Sequence, residues 1–210
     1  MGTRFENALA HAIWAQRYRF VPASGPAEAS VDATLDRVAR ALAAAEPRDR
    51  EAWARRFRDA LDGFGFLPGG RIIAGAGTAR RVTLFNCFVM GTVEDSLDGI
   101  FAALRESALT MQQGGGIGLD FSTLRPRAAP ADATGGVASG PVSFMDLWNQ
   151  MSDTVTSVGP RRGAMMGTLS CEHPDIADFV EAKRRPGRLT HFNLSVLVTD
   201  AFMRAVELDA

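Results

Sequence analysis

The chain has 210 residues, with 23 Lys or Arg against 24 Asp or Glu, a net charge of −1, and 46% hydrophobic and 22% charged residues. These values describe an ordinary globular protein with room for one sizeable core or two small ones, and they exclude binding of nucleic acid or membrane by a generally basic surface. No uncharged apolar stretch approaches the about 18 residues of a membrane span, and the N-terminus leads into no apolar signal core, so a cytoplasmic location is expected.

The first 65 residues are read as a helical subdomain. Asn7 to Arg19 carries Leu9, Ile13 and Trp14 on one side. Ser30 to Glu46 repeats Leu35, Val38 and Leu42 at helical spacing behind a Ser cap, and Pro47 ends it. Arg48 to Asp62 sets Trp53, Phe57 and Leu61 four apart, with Gly63 as a stop. Each helix has one apolar stripe and no evident chemistry.

The pattern changes after Phe64. Leu67 to Thr78 is too rich in glycine for a regular helix. Arg81 to Thr92 is β-branched and aromatic, which predicts a buried strand with Cys87 at its centre. A helix over Ser96 to Gln113 turns Ile100, Leu104 and Met111 inward, and Ile117 to Phe121 is a short strand. Ser122 to Gly140 has no periodicity. Pro141 to Thr156 is helical, Ser157 to Gly163 a second loop, Met165 to Ser170 a strand, Pro174 to Arg185 helical and His191 to Val198 a strand, and Asp200 caps a last helix. Strands alternating with helices predict an α/β core with parallel strands over 66–210.

Chemistry concentrates in the loops. Nineteen patternless residues inside a compact domain suggest a binding segment, and Arg125 and Arg127 stand near one end of it. The second loop carries Arg161 and Arg162 between Gly159 and Gly163. Arginine forks suit phosphate and base acceptors, but arginine is common throughout this chain, and composition alone favours a solvated surface. Gly114-Gly115-Gly116-Ile117-Gly118 follows a helix and precedes a strand, so it is a turn rather than a dinucleotide fingerprint, and no Walker motif exists. Asp95-Ser96-Leu97-Asp98 reads as a helix cap. Cys87 and Cys171 are the only cysteines, which excludes a disulfide scaffold and a four-ligand Cys/His zinc cluster, and no metal site is expected. Each reads by itself as packing. A nucleophile pair of Cys171 with His173 is the sharper reading, but no supporting acid or oxyanion motif accompanies it.

The order of these segments says more than any one of them. LPGGRIIAGAGT, TLFNCFVM, EDSLDGI, QQGGGIGLDFSTLRP, GGVASGPVSFMDLWN, GPRRGAMMG, HPDIADFVEAK and FNLSVLVTDAFM follow one another, and together they resemble the large catalytic chain of ribonucleotide reductase from Leu67 to the end. Within that family the style is most similar to the class II, adenosylcobalamin-dependent enzymes, with class I as the alternative. The resemblance implies a helical subdomain followed by the first strands and helices of a ten-stranded α/β barrel, here incomplete.

The resemblance also assigns residues. Cys87 falls at the first reducing cysteine of the family, and Asn86, Cys87 and Gly116 would line the substrate ribonucleotide. Asp95, Ser96, Leu97 and Arg125 would bind the deoxynucleotide or ATP effector at a homodimer interface. Gly159, Arg161, Arg162 and Gly163 would belong to the second specificity loop, which passes between effector and substrate. A thioredoxin-like reductant is the implied partner. Gly69-Gly70-Arg71 departs from a Ser/Thr-containing substrate contact and Pro160 from a basic loop residue, and Cys171 matches no functional cysteine. The radical cysteine, its Asn and Glu neighbours and the partner thiol of Cys87 lie further along the chain in the family. The expectation is therefore the N-terminal portion of a reductase, inactive alone. The alternative is a nucleotide-binding module or half of a split enzyme.

Overall fold

The computed structural model describes residues 5, 7–131, 136–155, 164–184 and 186–209. The chain forms two compact units, Met1–Asn86 and Cys87–Ala210. The division expected after residue 65 thus lies inside the first unit. Residues 66–86 remain with the helices because Leu67 to Thr78, too glycine-rich for a regular helix by pattern, holds the short helix α4 (Gly70–Gly75).

The other helices of the first unit are α1 (Ala8–Arg17), α2 (Val31–Ala43) and α3 (Arg50–Leu61). The Ser30 hydroxyl caps α2 by accepting from the Ala33 N–H at 3.3 Å. Val31, Leu35, Val38 and Ala39 of α2 join Trp14 and Leu61 in the apolar core. A polar chain crosses this core. Trp14 Nε1 donates to Thr34 Oγ1 at 2.9 Å, and Thr34 donates to Glu28 Oε2 at 2.6 Å. Arg37 Nε donates to Glu28 Oε1 at 2.7 Å, and its other nitrogens reach the carbonyls of Ile73, at 3.0 Å, and of Ala76. Those carbonyls lie at the C-terminal end of α4, so a cation there satisfies acceptors the helix leaves open, which is how a six-residue helix opening on glycine persists.

Burial by itself would raise the Glu28 pKa, but the hydrogen bonds from Arg37, the Phe20 N–H and Thr34 together outweigh it and hold the carboxyl below its ordinary value. A depressed carboxyl contributes stability that is present above the unfolded-state pKa and is lost as pH falls through the folded-state value. Glu28→Gln is therefore expected to lower the urea midpoint at pH 7. The gap from wild type should close as pH falls below the ordinary carboxylate range, and denaturation curves across pH 3–7 check this. A gap independent of pH would show that charge is not what Glu28 contributes.

The second unit contains β1 (Cys87–Thr92), α5 (Leu97–Gln112), β2 (Gly116–Asp120), β3 (Pro130–Ala131), β4 (Gly136–Val137), α6 (Pro141–Thr154), β5 (Met165–Ser170), α7 (Ile176–Glu181), β6 (Phe192–Leu197) and α8 (Asp200–Leu208). A short 3₁₀ turn over Ala182–Arg184 extends α7. β1, β2, β5 and β6 make an all-parallel sheet in that order, while β3 and β4 pair antiparallel by themselves. The described sheet has four strands and is not closed. The helix α8 is capped by Thr199, whose hydroxyl accepts from the Phe202 N–H at 3.2 Å, and Asp200 is its first residue rather than its cap.

One face of the sheet is covered. Ile117, Leu119, Met165, Leu169 and Phe192 pack with Ile100 and Met111 of α5 and with Met145 and Trp148 of α6. The other face is open. On it Val89 is 95% exposed, and its register neighbours are Gly118, Met166 and Asn193. The β-branched run Arg81 to Thr92 reads as a buried strand, but only its second half pairs, and β1 alternates because helices cover one side alone.

The glycine run after α5 has a local cause. The Gly115 N–H donates to the Thr110 carbonyl at 3.0 Å and the Gly114 N–H to that of Met111 at 2.8 Å, a Schellman pattern that needs the positive φ, 89°, of Gly114. A Cβ on Gly115 would stand 2.9 Å from the Phe88 ring and 2.8 Å from the Thr110 methyl. The turn brings Gly116 directly beside Cys87.

Candidate functional site

Cys87 opens β1, and its register partner on β2 is Gly116. The residue is exposed, as is Asn86 before it. The sequence pattern had Cys87 at the centre of a buried strand. Instead the thiol shares the open sheet face with Val89, because strand parity places residues two apart on one side. Gly116 is buried and adds no side-chain bulk at the neighbouring strand position.

The other cysteine lies far from it. Cys171 follows the last residue of β5, while Cys87 lies level with the first residues of that strand through Gly116 and β2. Seven residues of extended chain correspond to roughly 20 Å, and a disulfide requires Cα atoms about 4.4–6.8 Å apart. Cys171 is therefore no redox partner for Cys87 in this fold. It has no base in His173 either. The ring of His173 is buried, with Nδ1 accepting from the Asp175 N–H at 3.0 Å and Nε2 at 2.8 Å from the Leu124 carbonyl. An accepting Nδ1 assigns the proton to Nε2, which donates, so both ring nitrogens are engaged by backbone.

At the opposite end of the strands, Asp95 and Arg125 meet. Arg125 Nε donates to Asp95 Oδ2 at 2.8 Å, the Arg125 N–H donates to Asp95 Oδ1 at 3.2 Å, and Arg125 Nη1 donates to the Pro130 carbonyl at 3.1 Å. Both side chains are about a third exposed, at 33% and 34%. Ser96 caps α5, accepting from the Gly99 N–H at 3.0 Å and donating to Glu94 at 3.1 Å. Leu97, the first residue of the helix, is exposed, as are Phe101 and Leu109 further along it. The cap reading thus holds for Ser96, and Asp95 has a different task. Of the sequence-assigned residues, the fold brings together Cys87 with Gly116, and Asp95 with Arg125. Gly159, Arg161, Arg162 and Gly163 lie outside the described residues.

Sequence reasoning passed over Asp175, whose Oδ2 accepts from the Arg127 N–H at 2.8 Å. The HPDI segment was its signal, since histidine and aspartate two apart before a helix can both reach one neighbouring strand end. Among the described residues no group of three metal-ligating side chains occurs, and no helix is long and apolar enough to cross a membrane.

A parallel α/β sheet with an exposed thiol at the head of one strand and a carboxylate–guanidinium pair beyond the strand ends, following an all-helical unit, defines the class of protein. The comparisons narrow it. A model of the ribonucleotide reductase all-alpha domain matches residues 4–81, and one of the ribonucleotide reductase barrel domain matches residues 85–210. The chain belongs to the ribonucleotide reductase family. It is 44% identical over 215 aligned positions, 99% of its length, to the vitamin B12-dependent ribonucleoside-diphosphate reductase of Mycobacterium tuberculosis (strain CDC 1551 / Oshkosh), and spans 31% of that protein. The enzyme of the same description from Thermoplasma acidophilum is 40% identical over 75% of the chain, which covers 20% of that protein. The ribonucleoside-diphosphate reductase subunit alpha of Chlamydia pneumoniae is 31% identical over 81% of the chain, which covers 17% of that protein.

Proposed function

We propose that the chain is the part of a vitamin B12-dependent ribonucleotide reductase that carries the first reducing thiol and reads the nucleotide effector. The complete enzyme would act in the cytoplasm, reducing ribonucleotides to 2′-deoxyribonucleotides for DNA synthesis by thiyl radical chemistry. One observation carries the reading. Cys87 stands exposed at the head of β1 with Gly116 beside it, in a chain that matches both domains of the family.

In the proposed reaction Cys87 and a second thiol supply two electrons and two protons, the ribose 2′-hydroxyl leaves as water, and a disulfide forms. A thioredoxin-like dithiol then reduces that disulfide by exchange, a step that needs access to sulfur, which an exposed Cys87 offers. Gly116 would let the ribose approach the thiol closely, and Asn86 would contact it from the preceding position. Arg125 and Asp95 would receive an effector's phosphate and sugar hydroxyl respectively, since a guanidinium fork matches phosphate oxygens and a carboxylate accepts from hydroxyls. Ser96 and Leu97 would flank it at the head of α5. Leu97, Phe101 and Leu109, exposed along α5, support homodimer contact through that helix.

Adenosylcobalamin would start the radical in the complete enzyme. The polar cavity of the barrel unit, bordered by Arg127, Asp175 and Arg188, holds about 120 Å³. That is below the ~300–1,000 Å³ of ordinary small-molecule sites and too small for a corrin ring.

Residues 1–210 alone are proposed to bind nucleotide without turnover, since Cys171 stands too far along the sheet to pair with Cys87. Calorimetric titration of the chain with dATP and dTTP should give saturable heat, and Arg125→Ala should weaken it by about tenfold or more, the scale of a charge-assisted hydrogen bond. Because the Arg125–Asp95 pair is partly exposed, its own contribution to stability is only about 0–1 kcal/mol, and the variant should melt close to wild type. Absence of heat with either nucleotide would remove the effector reading. Deoxynucleotide formation by these residues with adenosylcobalamin and a dithiol would overturn the proposed inactivity.

A further inference from the structure

The segment that carries Arg125 is held on both sides by one motif from elsewhere in the chain. Before Arg125, the Leu124 carbonyl accepts from His173 Nε2 at 2.8 Å. After it, the Arg127 N–H donates to Asp175 Oδ2 at 2.8 Å, and the Arg127 guanidinium pairs with Asp178 at 2.8 Å. The two holders are themselves joined, because the Asp175 N–H donates to His173 Nδ1 at 3.0 Å. Arg125 is thus the one guanidinium between two anchored peptide groups, and its own N–H and Nε both reach Asp95.

Three features mark this as a built arrangement rather than an incidental contact. The imidazole of His173 is only 7% exposed, and both its nitrogens are used. Asp175 stands at the N-cap of α7, where an aspartate ordinarily accepts from its own helix, yet it makes no such bond. Its carboxylate instead reaches a backbone N–H 48 residues away in sequence. Finally, Gly140 vacates the space the carboxylate occupies. A Cβ there would lie 2.5 Å from Asp175 Oδ2 and 3.0 Å from the Arg127 backbone nitrogen, and the φ of +80° at Gly140 disfavours any side chain.

We propose that His173 and Asp175 are positioning residues for the effector site: they clasp the backbone on either side of Arg125, aim its guanidinium at Asp95, and so set nucleotide affinity without touching the nucleotide. This rests on the reading of Asp95 and Arg125 as the effector site. Misplacement by an ångström is enough to lose a bidentate contact, so releasing one end of the clasp acts on affinity through Arg125 alone.

The experiment uses the 210-residue chain and two readouts. Hydrogen exchange in the peptide 122–131 without nucleotide tests the clasp, and calorimetry with dATP and dTTP tests its consequence. Asp175→Ala should speed exchange at the Arg127 amide and weaken nucleotide binding about tenfold, whereas Asp175→Asn, which keeps an accepting oxygen, should recover most of both. In an Arg125→Ala background, Asp175→Ala should weaken binding no further, since groups that act through one another are not additive. Additive losses would overturn the proposal by making Asp175 a general stabiliser. Unchanged exchange in Asp175→Ala would overturn the clasp itself. If Arg125→Ala weakens nucleotide binding and Asp175→Ala does not, the effector reading stands and the proposal falls. If the wild-type chain binds neither nucleotide while exchange still responds to Asp175→Ala, the effector reading fails and takes the affinity role with it.

Discussion

If Cys87 is the first reducing thiol, Cys87→Ser is expected to leave a complete reductase containing this segment with no deoxynucleotide formation, not even a single turnover, with a dithiol as reductant. Each reduction of a 2′-hydroxyl needs two thiols, and a serine hydroxyl cannot donate electrons or form a disulfide, so the first reduction itself fails. Affinity for nucleotide should be nearly unchanged, because serine keeps the size and polarity of the side chain and Gly116 beside it is untouched. Product formed per chain, measured against nucleotide binding in the same preparation, checks this. Sustained turnover by the serine variant would remove Cys87 from the redox chemistry and leave it as an exposed strand residue. The same substitution at Cys171 should leave turnover intact, since that thiol lies roughly 20 Å further along the sheet.

Trp148→Ala carries the largest stability effect. Trp148 is fully buried on α6, packs edge-on against Phe121 with ring centroids 5.3 Å apart, and donates from Nε1 to Ser107 Oγ at 2.9 Å. Ser107 in turn donates to the Ala103 carbonyl at 2.7 Å, so the tryptophan supplies the partner that lets a buried hydroxyl sit within α5. Truncation removes a large apolar volume, leaves a cavity beneath the sheet and strips an acceptor of its donor, for a cost of about 3–5 kcal/mol. Domains of this kind have only about 5–15 kcal/mol in total, so the urea midpoint should fall by about a fifth or more. Trp148→Phe keeps most of the volume and should cost about 1–3 kcal/mol, chiefly for the lost hydrogen bond to Ser107. If alanine and phenylalanine cost the same, the hydrogen bond rather than the packing dominates at this position.

Much of the architecture is legible in the sequence. Leu35 and Val38 follow the helical period, Met165 to Ser170 bears the strand pattern to the residue, and each rests on interactions between near neighbours in sequence. The errors share one cause. The burial of Cys87 was misjudged because a β-branched run says that a strand forms, but not whether one or both of its faces will be covered. The helix α4 was missed because its support comes from Arg37, on another element, rather than from its own composition.

Ser96 as a cap and the glycine turn after α5 belong to the legible part, since their partners lie within a few residues. Asp95 with Arg125, and His173 and Asp175 with the segment around Arg125, do not. The order of motifs identified the family and nominated Cys87, Gly116, Asp95 and Arg125. It was silent on Asp175, because an aspartate before a helix reads as a cap until the chain brings Arg127 to it. By itself, then, the sequence determined most of the longer helices and strands, the parallel α/β class and the family. The tertiary structure alone decided that Cys87 is exposed, that the two cysteines cannot pair and that Arg125 is clasped, because each depends on chain segments that periodicity cannot register against one another.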